Sequence, residues 1–113
     1  MKDNIMKAIL LLGTLATVAA CSLSLPVAGQ MADGTEKFTG TATGYSDGGG
    51  DLTIVSNKGR SCSGKFVYTT GRSGGGVFNC SDGQSGPFNF VSTGTRGTGT
   101  GTIGGKEFTF SFG

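Results

Sequence analysis

The chain has 113 residues, with nine Lys and Arg against seven Asp and Glu, and it contains no His or Trp. A net charge of +2 provides no basic surface for nucleic acid and no strong field to steer a charged partner. Because His is the residue type that most often serves as general base and metal ligand, its absence argues against catalysis. We therefore expect no enzyme, no catalytic residue and no cofactor.

The first twenty residues have the composition of an export signal rather than of a folded element. Lys2 and Lys7 are basic, and residues 8–20 are small and apolar without a charge. This apolar run is shorter than the roughly 20 residues that a membrane-spanning helix needs. We therefore predict that residues 1–20 are a signal peptide that is removed during export.

A cysteine follows the apolar run directly, in the sequence Val18-Ala19-Ala20-Cys21. This sequence resembles a lipobox, in which small residues fit the cleft of a signal peptidase and the thiol accepts a diacylglycerol. The resemblance implies that Cys21 is lipidated and anchors the protein to a membrane of the cell envelope, facing the periplasm. Ser22 in place of Asp at the next position favours the outer membrane over the inner one. A simple signal peptide is the alternative, because the three residues before Cys21 also fit an A-x-A-like cleavage site.

Two cysteines remain if Cys21 carries lipid, namely Cys62 and Cys80. Exported proteins fold in an oxidising space, where pairing of cysteines is the default. We therefore predict a Cys62–Cys80 disulfide between neighbouring antiparallel strands. Residues 21–35 contain mostly small residues without periodicity, and we expect a flexible tether there, followed by one glycine-rich β domain over residues 36–113.

From Phe38 onward, apolar and polar residues alternate, which is typical of strands with one buried face. Gly, Asn, Asp and Ser cluster between these runs, as turns require. A first strand at residues 38–44 and three related hairpins after it make about seven strands. The predicted fold is all-β: a small antiparallel meander that forms a curled sheet or a small open barrel with one disulfide.

The turn residues predict the register of the hairpins. A three-residue loop with Gly59 in the left-handed conformation pairs Ile54 with Cys62. A two-residue turn at Asp82-Gly83 would rotate the next strand to the wrong face, so we expect a longer turn or a bulge over residues 81–86. This register places phenyl rings over bare glycine backbone in five pairs, Phe66–Gly76, Phe78–Gly64, Phe108–Gly101, Phe110–Gly99 and Phe112–Gly97.

The eight Phe residues supply most of the large apolar surface, and most of them lie on one face of the predicted sheet. A flat sheet would expose more apolar surface than the few hundred Å² or so that monomers tolerate. Either the sheet curls so that this face closes on itself, or the face meets a partner. Because many glycines permit bends and bulges, we expect the sheet to curl around a core of Phe66, Phe78, Phe88, Phe108 and Phe110. Any binding site would then lie on the loops or on the opposite, threonine-rich face.

Three further patterns have both a functional and a structural interpretation. The threonines within residues 39–43 and 98–102 could bind ice or a glycan, but Thr also suits the solvated face of a strand. Residues 47–51 could supply oxygens to Ca²⁺, but they lack the ligand spacing of a known loop. The glycines of residues 97–101 precede a strand instead of the helix that a phosphate-binding loop needs. We favour the structural interpretation of each pattern and expect no metal site.

The second half of the chain resembles a pattern of small proteobacterial lipoproteins. The pattern is carried by Ser61-Cys62-Ser63-Gly64, Phe78-Asn79-Cys80-Ser81-Asp82-Gly83, Gly86-Pro87-Phe88 and Phe108-Thr109-Phe110. No activity is attached to it, so it transfers no functional residue. A looser likeness of size, location and fold type is to periplasmic lysozyme inhibitors, which are lipid-anchored β-barrels with a disulfide. We expect a non-enzymatic protein that binds or structures an envelope protein or a glycan; the alternative is an inhibitor of an extracytoplasmic hydrolase.

Overall fold

In the computed structural model, residues 22–113 are described, and they form a closed antiparallel barrel of eight strands. Each strand pairs with the next, and the first pairs with the last. Within residues 22–113, no helix is long and apolar enough to cross a membrane. The strands are β1 (Ser22–Met31), β2 (Lys37–Tyr45), β3 (Gly49–Ser56), β4 (Ser61–Tyr68), β5 (Ser73–Cys80), β6 (Ser85–Thr93), β7 (Arg96–Ile103) and β8 (Lys106–Phe112).

The segment predicted as a tether, residues 21–35, is instead mostly β1 and the turn that follows it. Ser22–Met31 pairs with β2 along nearly its whole length and with β8 over its second half. This extra strand corrects two expectations, because the barrel has eight strands rather than about seven and is closed rather than open. The physical reason is an alternation in which Leu25, Val27 and Met31 point inward, although Pro26 and Gly29 interrupt the apolar pattern. The predicted signal peptide and Cys21 lie outside the described residues.

The predicted hairpin register is confirmed. Ile54 pairs with Cys62, and Gly59 has a φ of 83°, as the three-residue loop requires. The turn within residues 81–86 is also a three-residue loop, closed by a 2.8 Å hydrogen bond from the Cys80 N–H to the Gln84 carbonyl. All five predicted phenyl–glycine pairs are present, Phe66–Gly76, Phe78–Gly64, Phe108–Gly101, Phe110–Gly99 and Phe112–Gly97.

The predicted disulfide joins Cys62 of β4 to Cys80 of β5, with a Cα–Cα distance of 3.9 Å. The two residues lie directly opposite each other on the inner face of the barrel. The five Phe residues predicted for the core are all buried, from 0% exposure at Phe78 to 9% at Phe66. The sheet therefore curls around its phenylalanines, as expected. The eight strands, the core and the disulfide described here together form one closed barrel within residues 22–113.

Candidate binding site at the open end of the barrel

The two ends of the barrel differ in polarity and in filling. One end carries the turns after β1, β3, β5 and β7, and we call it the closed end. The other carries the turns after β2, β4 and β6 together with the start of β1, and we call it the open end. The closed end carries a polar concavity lined by Glu36, Arg60 and Asp82, whereas the concavity of the open end is apolar.

Arg60 covers the closed end. Its guanidinium lies 2.7 Å from a Glu36 carboxylate oxygen, donates a 2.8 Å hydrogen bond to the Gln84 side chain, and stands 5.6 Å from the centre of the Phe38 ring. Burial alone would raise the pKa of Glu36, but hydrogen bonds from Ser56 and Arg60 and the charge of Arg60 outweigh it and lower that pKa. The closed end is therefore covered by the ion pair of Arg60 and Glu36, whose side chains are mostly buried.

At the open end, the wall of the barrel encloses a cavity of about 440 Å³. We call it the mouth cavity. Its wall includes rings that pack edge to face, with centroids 5.3 Å apart for Phe66 and Phe90 and 5.1 Å apart for Phe90 and Tyr68, which lies at the rim. The apolar side chains that line it are Leu23, Leu25, Ala42, Leu52, Phe66, Phe90, Phe110 and Phe112.

Two inward-facing side chains of the mouth cavity remain exposed. Leu23 shares the face of β1 with the buried Val27, yet 53% of its surface is accessible. Tyr68 shares the face of β4 with the buried Phe66 and is 38% accessible, and its hydroxyl is 3.2 Å from that of Ser92. Inward-facing apolar surface that stays accessible is the usual mark of a ligand cavity rather than of a core.

Small residues leave the mouth cavity unfilled. A Cβ added at the inward-facing Gly44 would meet nothing within 4 Å, whereas one added at Gly50 would overlap the Phe66 ring. Ala42, one pair further into the barrel, is only partly buried. The space therefore exists because β2 carries Ala and Gly where the opposite wall carries aromatic rings.

Within residues 22–113, the wall of the mouth cavity has a gap beside the first residues of β1, because β8 ends at Phe112 opposite Val27; we call this gap the slit. The pairing of β1 with β8 begins at Val27, whereas its pairing with β2 already begins at Ser22. Pro26 lies where the slit starts, and its carbonyl accepts a 3.0 Å hydrogen bond from Gly113. Because the N–H that Pro lacks would point towards Gly113, as its carbonyl does, the ladder between β1 and β2 loses no donor there. The mouth cavity is thus accessible both through the open end of the barrel and through the slit beside β1.

Among residues 22–113, no Asp, Glu, Lys or Arg lines the mouth cavity, and an ionisable cluster of Tyr45, Asp51 and Lys65 lies on its rim. The Tyr45 hydroxyl donates a 2.8 Å hydrogen bond to Asp51, which also contacts Lys65 at 2.9 Å. The Lys65 and Tyr45 hydrogen bonds lower the pKa of Asp51, and the bond to Asp51 raises the pKa of Tyr45. Asp47 accepts from the Gly49 N–H at 2.9 Å, so both acidic ends of residues 47–51 are engaged within the protein.

The threonine-rich face lies on the outside of the barrel, as expected. Thr100 pairs with Thr109, Thr98 pairs with Ser111, and Thr39 lies on the same shallow outer groove. This groove is wide open and contains no aromatic ring that faces outward on β7 or β8. We regard it as a second, weaker candidate surface.

Of the three predicted site residues, Cys62 and Cys80 meet in the disulfide, and Cys21 lies outside residues 22–113. The sequence interpretation missed the mouth cavity. Leu23 and Leu25 were the signal that could have revealed it, because their alternation with Ser22, Ser24 and Pro26 continues that of the later strands. In the part of the chain that is described, no group of three or more His, Cys, Asp or Glu could hold a metal ion.

No family model and no curated protein matches the chain. Solved structures that are similar include a redesigned β-barrel, mFAP1, bound to DFHBI, with 16% sequence identity and a TM-score of 0.65 over 79% of this chain and 90% of that one. Another is a de novo designed fluorescence-activating β-barrel, with 14% identity and a TM-score of 0.60 over 79% of this chain and 88% of that one. At these identities the likeness shows the β-barrel fold alone.

Proposed function

We propose that the protein is a lipid-anchored, non-enzymatic component of the cell envelope that binds a small apolar ligand in the mouth cavity. The observation that carries this proposal is the uncharged, partly open cavity of about 440 Å³ at one end of a barrel that is sealed at the other. Ligand pockets have volumes of about 300–1,000 Å³ and mostly apolar walls with few polar groups. The mouth cavity fits that description.

The chemistry of the wall favours an uncharged ligand. Transfer of a charged group into the mouth cavity would carry a desolvation cost that no lining Lys, Arg, Asp or Glu offsets. By contrast, an apolar ligand would cover Leu23 and the half-buried Phe112, which now face water. The polar contacts that remain are hydroxyls, among them that of Tyr68. These can orient a ligand without requiring a charge on it.

The proposed location rests on the sequence of residues 8–21. The apolar segment of residues 8–20 and the lipobox-like sequence that ends in Cys21 support export and lipidation. Ser22 lies on the rim of the mouth cavity, so a lipid on the preceding residue would hold the cavity close to a membrane. The preference for the outer membrane stays a prediction. The redesigned barrel bound to DFHBI supports the proposal only in that a similar barrel carries a small molecule.

Dye binding tests this proposal directly. The protein for the test, which we call the lipid-free barrel, has residues 1–20 replaced by a removable secretory leader and carries Cys21→Ser. The probe is Nile red, an uncharged dye that fluoresces in apolar surroundings. We expect saturable binding of one dye per chain, and no saturable binding would contradict the proposal.

Two matched variants locate the bound dye. Gly44→Phe places a ring in the open space of the mouth cavity, whereas Gly71→Phe places the same ring on the β4–β5 turn of the open end, with equally open surroundings but outside the cavity lining. We expect Gly44→Phe to weaken Nile red binding at least about tenfold, the equivalent of 1.4 kcal/mol, and Gly71→Phe to leave it unchanged. Equal affinity of all three proteins would place the dye elsewhere and contradict the proposal.

Inhibition of an extracytoplasmic hydrolase stays a prediction of the sequence. A pull-down from envelope extracts with the lipid-free barrel would test it, because an inhibitor should capture a hydrolase in stoichiometric amounts.

A further inference from the structure

We propose that the mouth cavity holds one acyl chain of the lipid attached to Cys21, so that the barrel stands with its open end against the membrane. This inference rests on the proposed lipid anchor and names the occupant of the proposed binding site. It commits to a chain that belongs to the same molecule rather than to a free fatty acid or to a lipid of the surrounding bilayer.

The attachment point is next to the entrance. Ser22 is the first residue of β1 and lines the mouth cavity, and the Cα atoms of consecutive residues are about 3.8 Å apart. The following inward-facing residue, Leu23, is 53% accessible although it points into the barrel. A chain that starts at Cys21 therefore has no linker to cross before it meets exposed apolar wall.

The slit provides the path into the barrel. Above Pro26, the first residues of β1 are paired with β2 only, so the wall between them and β8 is open at the rim. A chain bonded at Cys21 can pass through this slit beside Leu25 and reach the rings of Phe110 and Phe112. No strand has to separate, because β1 and β8 first pair at Val27.

The distribution of polar atoms favours a chain whose polar end stays outside. A free fatty acid would bring a carboxylate, and no Lys or Arg lines the mouth cavity to pair with it. The polar residues that line the mouth cavity include Ser46 and Thr95, which lie in turns on the rim. Hydroxyls at the rim and apolar groups below match a neutral ester that lies at the entrance with its hydrocarbon inside.

Covalent attachment makes this occupant favoured over competitors. A tethered group binds intramolecularly, with an effective concentration in the millimolar range for short linkers. The move of one chain from bilayer to mouth cavity exchanges one apolar environment for another. The chain that stays in the bilayer would by itself anchor the protein only marginally. The exposed rim residues Tyr45 and Tyr68 would add to this anchoring, because Tyr is enriched at membrane interfaces.

Photo-crosslinking of the full-length, lipidated protein tests the inference. Cells are fed a fatty acid with a photoreactive diazirine in its chain, and the protein is irradiated in its native membranes, purified and digested. We expect mass spectrometry to find a peptide with Cys21 joined through the acyl chain to a peptide with Leu52, Phe66 or Phe90. The Gly44→Phe variant should reduce the yield of this product about tenfold, and Gly71→Phe should not reduce it.

The products identify the source of the chain. A crosslink from Cys21 to the mouth cavity supports the inference. Mouth-cavity peptides that carry an entire phospholipid instead would overturn it, while the proposed apolar site would survive. Lipidated Cys21 without any mouth-cavity adduct would also overturn it, whatever the lipid-free barrel does with Nile red. An unmodified N-terminus would overturn both this inference and the proposed anchor, and the Nile red result would then decide the binding site separately.

Discussion

Phe110 lies opposite Gly99 in the β7–β8 pair, and its ring occupies the space that a Cβ at residue 99 would need. The same relationship recurs around the barrel, with Phe108 over Gly101 and Phe112 over Gly97. Glycine in a strand is normally destabilising because it loses backbone entropy and packs nothing. Here the facing ring packs into the space that the absent side chain leaves, so this barrel tolerates glycines in its walls.

This relationship predicts opposite effects for two Gly→Ala substitutions in the lipid-free barrel. Gly99→Ala should lower the free energy of unfolding by about 1–3 kcal/mol, because the added methyl group overpacks the Phe110 ring. Gly44→Ala should leave it unchanged or raise it by up to about 1 kcal/mol, since its Cβ meets open space and alanine restricts the unfolded chain. Urea unfolding measures both, and equal destabilisation would contradict the account.

The core and the mouth cavity should respond differently to the loss of a ring. Phe88 is 1% exposed and sits in the filled part of the barrel, so Phe88→Ala should cost about 3–5 kcal/mol of unfolding free energy. Phe112 is only half-buried at the mouth cavity, so Phe112→Ala should cost clearly less. A Phe112→Ala variant as unstable as Phe88→Ala would mean that the open end is packed like the core.

The disulfide should account for a large share of the stability of this small domain. Cys62 and Cys80 are separated by 18 residues, and closure of a loop of that size is worth roughly 3 kcal/mol in the chain-entropy model. The double variant Cys62→Ala and Cys80→Ala should therefore unfold at a lower urea concentration than the lipid-free barrel. The lipid-free barrel itself is the control for loss of the third cysteine. An unchanged midpoint would show that the loop closure contributes nothing.

The ion pair at the closed end should make stability depend on pH. The pKa of Glu36 is lowered in the fold, so its contribution is complete above the unfolded pKa of about 4.3 and declines as the pH falls below that value. At pH 7, Glu36→Gln should cost about 1–3 kcal/mol, because it removes a charged acceptor from Arg60. At a pH below the pKa of Glu36 in the folded state, the lipid-free barrel and its Glu36→Gln variant should have the same free energy of unfolding. Glu107→Gln, at an exposed position, is the control.

The hairpins could be predicted from the sequence, and the first strand could not. Turn glycines such as Gly59 and the position of Cys62 opposite Cys80 predict the register of β3 to β5 without any knowledge of the barrel. β1 escaped prediction because Pro26 and Gly29 interrupt its pattern and because a segment that follows a lipidated cysteine is expected to be a linker. Only the closure of the barrel reveals that these residues complete the wall.

The mouth cavity was missed for a related reason. Cavities arise where inward-facing residues are too small to fill the space, and at Gly44 and Ala42 that is visible only once the opposite wall is known. The apolar alternation by itself predicts a filled core. Sequence reasoning therefore assigns five inward-facing rings to packing and leaves the outer loops and the threonine-rich face as the binding surfaces; the five are Phe66, Phe78, Phe88, Phe108 and Phe110.

The most direct test of the account is the position of the bound dye, observed in amide NMR spectra of the lipid-free barrel during titration with Nile red. We expect the largest shifts at Leu25, Ala42 and Phe90, which line the mouth cavity. We expect little change at Thr98 and Thr100 on the outer face. Shifts confined to those threonines, with Leu25, Ala42 and Phe90 unmoved, would contradict the claim that the mouth cavity is the binding site.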